Sequence, residues 1–409
     1  MTPAPQHDEP PLRPLTAWQM NVIAFAVMSM GVGMTISFVV ASPLARDAGL
    51  TEIQVAGILT LSAFFYAALT PAWGRVANRF GRKRIMVFSL LAMGGTNAAF
   101  IMALDAALQG VVVGVWAFLL LATVRLAFGL LSPGLQPAAF SAITDATTPR
   151  TRAAGMGTLG AAMSIGSILG PAGAAALASF GALAPLWGSV AFSLFAAIVI
   201  AIALPPTRKD AGVSKRPPLL RARDPRVLPH LLFLFTYFVG VGMIQQTLAW
   251  LIQDRFGLAR AEAVQATGFV FAAMAVALVF VQFGYVNRKK PDPTRMLIAG
   301  LALVAMGYFI GVLDGPYWLL CAAFLVVGVG SALVVPAGNA LATLAVGPPE
   351  QASAAALIAA APPAGFILGP LLGAGLYAVN PVFPLIASSS VMVVLWLYAM
   401  TTFRQQPAI

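Results

Sequence analysis

Charged residues are scarce in this chain. They make up 9% of its 409 residues, whereas hydrophobic residues make up 60%, and the mean hydropathy is +0.89. A soluble domain carries about 25% charged and about 45–50% apolar residues, so the composition excludes an ordinary cytosolic enzyme, a disordered chain and a secreted module. The single cysteine, Cys321, excludes an internal disulfide and lies in an apolar run, where we expect a small buried side chain. The sequence therefore predicts a polytopic helical membrane protein.

Twelve apolar segments are long enough to cross about 30 Å of hydrocarbon as helices. They cover approximately 17–42, 53–73, 85–104, 111–137, 153–179, 182–204, 228–251, 263–285, 293–313, 316–344, 352–378 and 382–403. An even number of spans places both termini on the same side of the membrane. We therefore predict an all-α membrane protein with twelve transmembrane helices.

Positive charge lies almost entirely on one side of these spans. With the N-terminus inside, 20 of the 24 Lys and Arg residues fall in inner segments, three (Arg46, Arg255 and Arg260) fall in outer loops, and Arg125 falls within a span. This bias predicts cytoplasmic termini by the positive-inside rule. The net charge of +11 therefore reports orientation in the bilayer, and we expect no nucleic-acid partner.

The two halves of the chain repeat one pattern. At a constant offset of 199 residues, Gly129 matches Gly328, Gly166 matches Gly365, and the tetrapeptide 168–171 recurs as 367–370. Paired halves with Gly- and Pro-interrupted spans are typical of secondary transporters, in which the substrate binds between the repeats. The predicted units are an N-terminal tail (1–16), a six-helix bundle (17–204), a basic, Pro-rich cytoplasmic linker (205–227), a second six-helix bundle (228–403) and a C-terminal tail (404–409).

The loop after the second span has a basic, glycine-containing motif over 74–84, GRVANRFGRKR. It resembles motif A (G-x-x-x-D-R-x-G-R-[KR]) of the major facilitator superfamily. The chain as a whole resembles the twelve-span drug and metabolite:proton antiporters of that family. The resemblance implies two six-helix bundles and a cytoplasmic gate. The gate residues it implies are Gly74, Asn78, Arg79, Gly81, Arg82 and Lys83, together with Asp145 and Arg152 near the end of the fourth span and the start of the fifth. Asn78 occupies the position where the motif has an acid.

Two further motifs of the family have counterparts here. Arg125, in the fourth span, resembles motif B, and a charge at membrane depth normally faces a cavity, although a structural arginine bonded to polar neighbours remains an alternative. Gly166, Gly170 and Pro171 in the fifth span resemble motif C of the exporters and predict a hinge, the alternative being close glycine packing alone.

No acidic residue lies at the midplane of a span, although proton-coupled relatives often carry one there. Coupling would then use a carboxylate at a span end (Glu52, Asp105 or Asp145) or His230. The predicted cavity residues are Arg125, Met34, Gln136, Gln246 and Asn339, a set that suits amphipathic or weakly anionic molecules.

The resemblance to the exporter group implies a non-enzymatic exporter of drugs or of metabolites such as siderophores. We predict a monomer in a cell membrane, and the Ala-, Gly- and Arg-rich composition favours a bacterial inner membrane. We expect protons and the lipid bilayer as partners, with no metal and no cofactor beyond a proton gradient. The alternatives are an importer or facilitator without proton coupling and a non-transporting membrane sensor.

Overall fold

The computed structural model describes residues 15–147, 152–205, 220, 223–289, 291–347, 350, 354, 357–358 and 360–402. Within these ranges the chain is helical and has no strand. Twelve helices in the described part of the chain are long and apolar enough to cross a membrane. They are α1 (Ala17–Asp47), α2 (Glu52–Phe80), α3 (Arg82–Leu108), α4 (Gly114–Ala146), α5 (Arg152–Leu177), α6 (Ala184–Ala203), α7 (Leu228–Phe256), α8 (Arg260–Val281), α9 (Pro293–Val312), α10 (Tyr317–Leu344), α11 (Ala361–Val379) and α12 (Phe383–Thr402). The predicted all-α membrane fold is confirmed, whereas the side on which the termini lie stays a prediction.

Helix α2 shows how local sequence sets its ends. Thr51 accepts a hydrogen bond from the backbone N–H of Gln54, whose side chain in turn accepts one from the N–H of Thr51, so both ends of this capping box are satisfied. The predicted span ends at residue 73, where the apolar run ends, but the helix continues to Phe80 because no residue stops it before Gly81. Gly81 has φ +97°, a conformation that residues with a Cβ rarely adopt, and it separates α2 from α3.

Two spans are interrupted by proline. In α1 the segment Ser37–Ala41 forms a π-helical turn just before Pro43, whose ring cannot fit against the carbonyl of Val39 in a regular helix. In α4 the helix stops at Leu131 and resumes at Leu135, with Pro133 in the break. The indole N–H of Trp73 donates to the carbonyl of Leu130 at 2.9 Å, which satisfies a carbonyl near the end of the first segment.

Glycines let matching helices of the two halves approach closely. A Cβ on Gly129 of α4 would lie 2.6 Å from the carbonyl oxygen of Ser62 in α2, and one on Gly328 of α10 would collide with the carbonyl of Met274 in α8. Likewise Gly166 of α5 touches the backbone of α1, and Gly365 of α11 touches the backbone of α7. The 199-residue repeat of the sequence therefore corresponds to equivalent helix contacts within the N-terminal bundle (α1–α6) and the C-terminal bundle (α7–α12).

The two bundles meet through α1, α2 and α5 on one side and α7, α8 and α11 on the other. Polar contacts between them cluster toward the end that carries the α1–α2 and α7–α8 turns, which we call the closed end. At the opposite end, here the motif end, the second segment of α4 (Leu135–Ala146) packs on α1, α2, α3 and α5, and α10 packs on α7, α8 and α9, all within their own bundles. The basic motif after α2 lies at the motif end, because α2 begins at the closed end and runs to the opposite one.

Candidate functional site

Arg125 is buried in the N-terminal bundle between α3 and α4. Its side chain is only 4% exposed, and one guanidinium nitrogen (Nη1) donates to Oδ1 of Asn97 at 3.2 Å. The guanidinium carbon lies 4.3 Å from the ring centre of Phe100 and 5.5 Å from that of Phe128, so two aromatic faces stabilise the cation. The contact with Asn97 matches the alternative of an arginine held by polar neighbours, although its buried Nε has no hydrogen-bond partner.

A series of ring contacts leads from Arg125 toward α1. Phe128 stacks on Tyr66 of α2, with ring centres 6.1 Å apart and planes 22° apart. The hydroxyl of Tyr66 donates to the sulfur of Met30 at 3.1 Å. Because four helices contribute to this group of side chains, the surroundings of Arg125 depend on packing throughout the N-terminal bundle.

The other predicted cavity residues occupy different places. Met34 on α1 and Gln136 at the start of the second α4 segment are partly exposed, and Asn339 on α10 is exposed. Gln246 on α7 is fully buried at the contact between the bundles, where its side-chain amide donates to the hydroxyl of Ser42 at 2.8 Å. Among the described residues, the hydrogen bond and ring contacts of Arg125 involve none of these four, and their role in binding stays a prediction.

The predicted gate residues Arg82 and Asp145 form an ion pair at the motif end. Arg82 also donates to the carbonyl of Ser141 at 3.0 Å, and Lys83 donates to the carbonyl of Leu204 at the end of α6. These contacts join α3 to α4 and α6, which all belong to the N-terminal bundle. In this structure the pair therefore ties helix ends together within one bundle.

The remaining predicted gate residues differ in exposure, since Gly81 is buried and Gly74 is partly exposed. Asn78 and Arg79 are exposed, and the guanidinium of Arg79 lies 5.5 Å from the ring of Phe80. Gly74 faces Pro137 of α4, since a Cβ on Gly74 would lie 3.5 Å from that of Pro137. Arg152 begins α5, but its side chain lies outside the described residues.

The residues of the predicted hinge in α5 make two kinds of contact. Gly166 and Gly170 pack closely against α1 of the same bundle, where a Cβ on Gly170 would lie 2.9 Å from the carbonyl of Val32. The carbonyl of Pro171 faces α8 of the other bundle, 2.8 Å from where a Cβ on Gly268 would lie. The glycines thus provide close packing within the N-terminal bundle, and only the proline backbone lies at the boundary between the bundles.

A charged network joins the bundles at the closed end. Nη1 of Arg46 in α1 donates to both carboxylate oxygens of Asp254 in α7 at 2.8 Å, and its Nε lies 3.1 Å from Glu52 of α2. The hydroxyl of Tyr377 in α11 donates to Asp254 at 2.7 Å. Sequence reasoning placed these charges at span ends but did not pair them, since the partners are far apart in the chain.

A second network lies outside the spans, at the motif end. Arg226, just before α7, donates to Asp224 at 2.9 Å and to Glu350 of the α10–α11 connection at 2.8 Å. These hydrogen bonds to Arg226 lower the pKa of the Asp224 and Glu350 carboxyls, and the two carboxylates raise the pKa of Arg226. The end of the linker is thereby attached to the C-terminal bundle.

Comparison with known proteins gives the family. The family model described as Major Facilitator Superfamily matches residues 22–312 and 292–408. The multidrug resistance protein MdtG of Dickeya zeae (strain Ech586) is 27% identical over 300 residues, 69% of this chain and 68% of that protein. Solute carrier family 22 member 18 of Mus musculus is 26% identical over 377 residues, 86% of this chain and 89% of that protein.

The fold agrees with a solved structure as well. A bacterial homologue of the human lysosomal transporter Spinster, in an inward-facing and unoccupied conformation, superposes with a TM-score of 0.72 at 15% identity, over 96% of this chain and 99% of that chain. The twelve helices, the paired bundles and these matches describe a multi-pass membrane transporter that is not an enzyme, and the chain belongs to the Major Facilitator Superfamily.

Proposed function

We propose that this transporter exports small amphipathic molecules with a weakly anionic group, by proton antiport and alternating access between its two bundles. The observation that carries this proposal is Arg125. It is a buried cation within a span, its hydrogen-bond partner is the neutral Asn97, and in the described part of the chain no carboxylate contacts it. A charge at this depth is costly, and an anionic group of a substrate would supply the missing countercharge.

Export is supported by the relatives and by the glycine pattern of α5. The relative from Dickeya zeae is named a multidrug resistance protein, and Gly166, Gly170 and Pro171 resemble the motif of exporters. We infer that the closed end faces outward and the motif end inward, with both termini cytoplasmic, because this orientation places most of the basic residues inside. A monomer in a bacterial inner membrane is part of the same proposal.

Proton coupling would use a carboxylate at a helix end. Glu52 is paired with Arg46, Asp145 is paired with Arg82, and Asp105 accepts a hydrogen bond from the side-chain amide of Gln109 at 2.8 Å. A proton arriving at the first or second of these acids would weaken its ion pair, which gives coupling a physical route.

A facilitator without proton coupling is the second candidate. The specific observation in its favour is that, among the described residues, Asn97 and no acid contacts Arg125. The described contacts of Arg125 therefore include no group that exchanges protons near neutral pH. Such a protein would move the same class of substrate down its gradient.

The two candidates are separated in everted membrane vesicles energised by respiration. Anionic drugs, cationic drugs and siderophores are added in turn while the proton gradient is followed with a pH-sensitive dye. Antiport predicts that anionic amphiphiles release protons with the wild type and with the control Thr123→Val, an exposed position on the same helix, but not with Arg125→Met. Labelled substrate that enters wild-type vesicles without any change in the proton gradient would favour the facilitator, and no movement of any compound in vesicles that contain the protein would contradict both.

A further inference from the structure

The charged contact at the closed end belongs to both bundles. Arg46 lies near the end of α1, one turn beyond Ser42, and Asp254 lies near the end of α7. Their two hydrogen bonds, both 2.8 Å long, join residues that are 208 positions apart. Alternating access, as in the proposed function, requires the bundles to separate here once in each cycle, and this contact must break when they do.

Each charge in this contact has a second partner inside its own bundle. Nε of Arg46 lies 3.1 Å from Glu52 of α2, which moves with α1. Asp254 accepts a hydrogen bond of 2.7 Å from the hydroxyl of Tyr377 in α11, which moves with α7. Separating the bundles along this boundary leaves Arg46 bound to Glu52 and Asp254 bound to Tyr377.

These second partners decide how readily the contact opens. A half-buried charge that loses its only partner has a large penalty, because its former hydrogen bonds are replaced incompletely. We propose that Arg46, Glu52, Asp254 and Tyr377 form a two-state latch. The Arg46–Asp254 pair holds the closed end together, whereas Glu52 and Tyr377 keep the two charges bonded once it opens. The latch rests on the alternating access of the proposed function, but on no particular substrate.

The surrounding polar groups fit this assignment. Gln253 of α7 donates to Asp47 of α1 at 3.2 Å, a neutral-to-charged contact that also crosses the boundary. Arg255 offers a matched control at the same end, because it pairs with Asp314 at 3.8 Å and donates to the carbonyl of Gly311, both within the C-terminal bundle. That pair moves as one body and does not report opening.

The latch makes predictions of opposite sign for neighbouring residues. Arg46→Gln or Asp254→Asn removes the link between the bundles and favours the open state. When the end is closed, Arg46 has two acidic partners, and Glu52→Gln removes one of them. When the end is open, Glu52 is the acidic partner that Arg46 keeps, so the same change costs the open state more. Tyr377→Phe removes the hydrogen bond that Asp254 keeps when the end is open. Both of these changes therefore favour the closed state.

Opening is measured by the labelling rate of a cysteine placed behind the latch. Ser42→Cys in a Cys321→Ser background suits this purpose, because Ser42 is fully buried between the bundles and differs from cysteine by one atom. The protein is reconstituted in nanodiscs, so that a charged maleimide reaches both faces, and the rate is compared between variants of equal abundance. Arg46→Lys, which keeps the charge, serves as the second variant where Arg46→Gln folds poorly.

We expect Arg46→Gln and Asp254→Asn to speed labelling by up to about fivefold, the range of a partly exposed ion pair, and Arg46→Lys to speed it less. Glu52→Gln and Tyr377→Phe should slow it, and Asp314→Asn should leave it unchanged. The latch is overturned if Glu52→Gln speeds labelling as Arg46→Gln does, or if Asp314→Asn has an equal effect. If the vesicle assay shows no transport but the labelling rates follow the predicted pattern, the proposed substrate is contradicted and the latch is supported.

Discussion

Replacement of Arg125 by methionine should reduce transport of anionic amphiphiles at least about tenfold and leave the fold intact. The change removes a hydrogen bond of a charged group to Asn97, which contributes about 1.5–3 kcal/mol. It also removes contacts of the cation with Phe100 and Phe128, which contribute about 2 kcal/mol where water is excluded. Against this loss, methionine fills similar space and removes a buried charge whose desolvation costs several kcal/mol.

The gains and losses in stability are therefore of similar size, and we expect the free energy of unfolding to change by less than about 2 kcal/mol. Thermal unfolding followed by tryptophan fluorescence in detergent measures this change. Transport has no such compensation. An ionic hydrogen bond to a bound anion contributes about 1.5–3 kcal/mol, so its removal should reduce transport of anionic compounds at least about tenfold.

A further variant tests the missing countercharge of Arg125, and a second serves as its control. Asn97→Asp keeps Arg125 but places a carboxylate at its hydrogen-bond distance, and it should also impair anion transport because the countercharge is then internal. Thr123→Val, exposed on the same helix, should transport as the wild type does. Anion flux in Arg125→Met above half of the wild-type value, at equal abundance, would refute the reasoning, as would an Asn97→Asp variant that behaves as the wild type.

Three other perturbations follow from the contacts. Gly166→Ala should destabilise the protein by about 1–3 kcal/mol, because the new methyl group meets the backbone of α1, whereas Gly173→Ala on the same helix meets nothing within 4 Å and should be neutral or slightly stabilising in thermal unfolding. Since Arg226 lowers the pKa of Glu350, their contact is favoured at neutral pH and is lost as the pH falls through that lowered value. Amide exchange over 223–227, corrected for its intrinsic rate, should then rise in acid, below the ordinary pKa of a glutamate carboxyl. Glu350→Gln should reduce that step to the part that Asp224 contributes, and a step of the same size in Glu350→Gln would show that Glu350 does not control it. Asn78→Asp restores the acid usual in the motif at an exposed position, and it should shift the balance of inward- and outward-open states in cysteine crosslinking; an unchanged balance would make this position neutral.

The spans and the repeat could be predicted because their signals are local. Apolar length identifies a membrane helix, and glycine at a constant offset identifies equivalent close contacts, as Gly129 and Gly328 show. The break in α4 was also within reach, since Ser132, Pro133 and Gly134 are residues that interrupt helices. Inside an apolar run, however, the hydropathy signal alone gives one long span.

The partners of the charged residues could not be predicted in the same way. Asn97 meets Arg125 only because of the way α3 and α4 are rotated against each other, which depends on the packing of the whole bundle. The pairing of Arg46 with Asp254 also depends on which end of the two bundles is closed. The sequence shows that both charges lie at span ends, and this is true in every conformational state of the transporter. It therefore does not indicate which charges pair in a given state.

The distribution of contacts indicates which part of the molecule moves. Close backbone contacts at glycine join α1 to α5 and α7 to α11 within each bundle, and such contacts tolerate little sliding because no flexible side chain separates the helices. Between the bundles, a comparable backbone approach occurs where Gly268 of α8 meets Pro171 of α5, while Arg46 and Asp254 meet through side chains that can part. We therefore expect each bundle to move as a rigid body about the α5–α8 contact, with the charged latch as the part that opens. Gly268→Ala, which places a methyl group 2.8 Å from the carbonyl of Pro171, should then alter the labelling rate at Ser42→Cys without changing the contacts inside either bundle. An unchanged rate would show that the bundles turn about another contact.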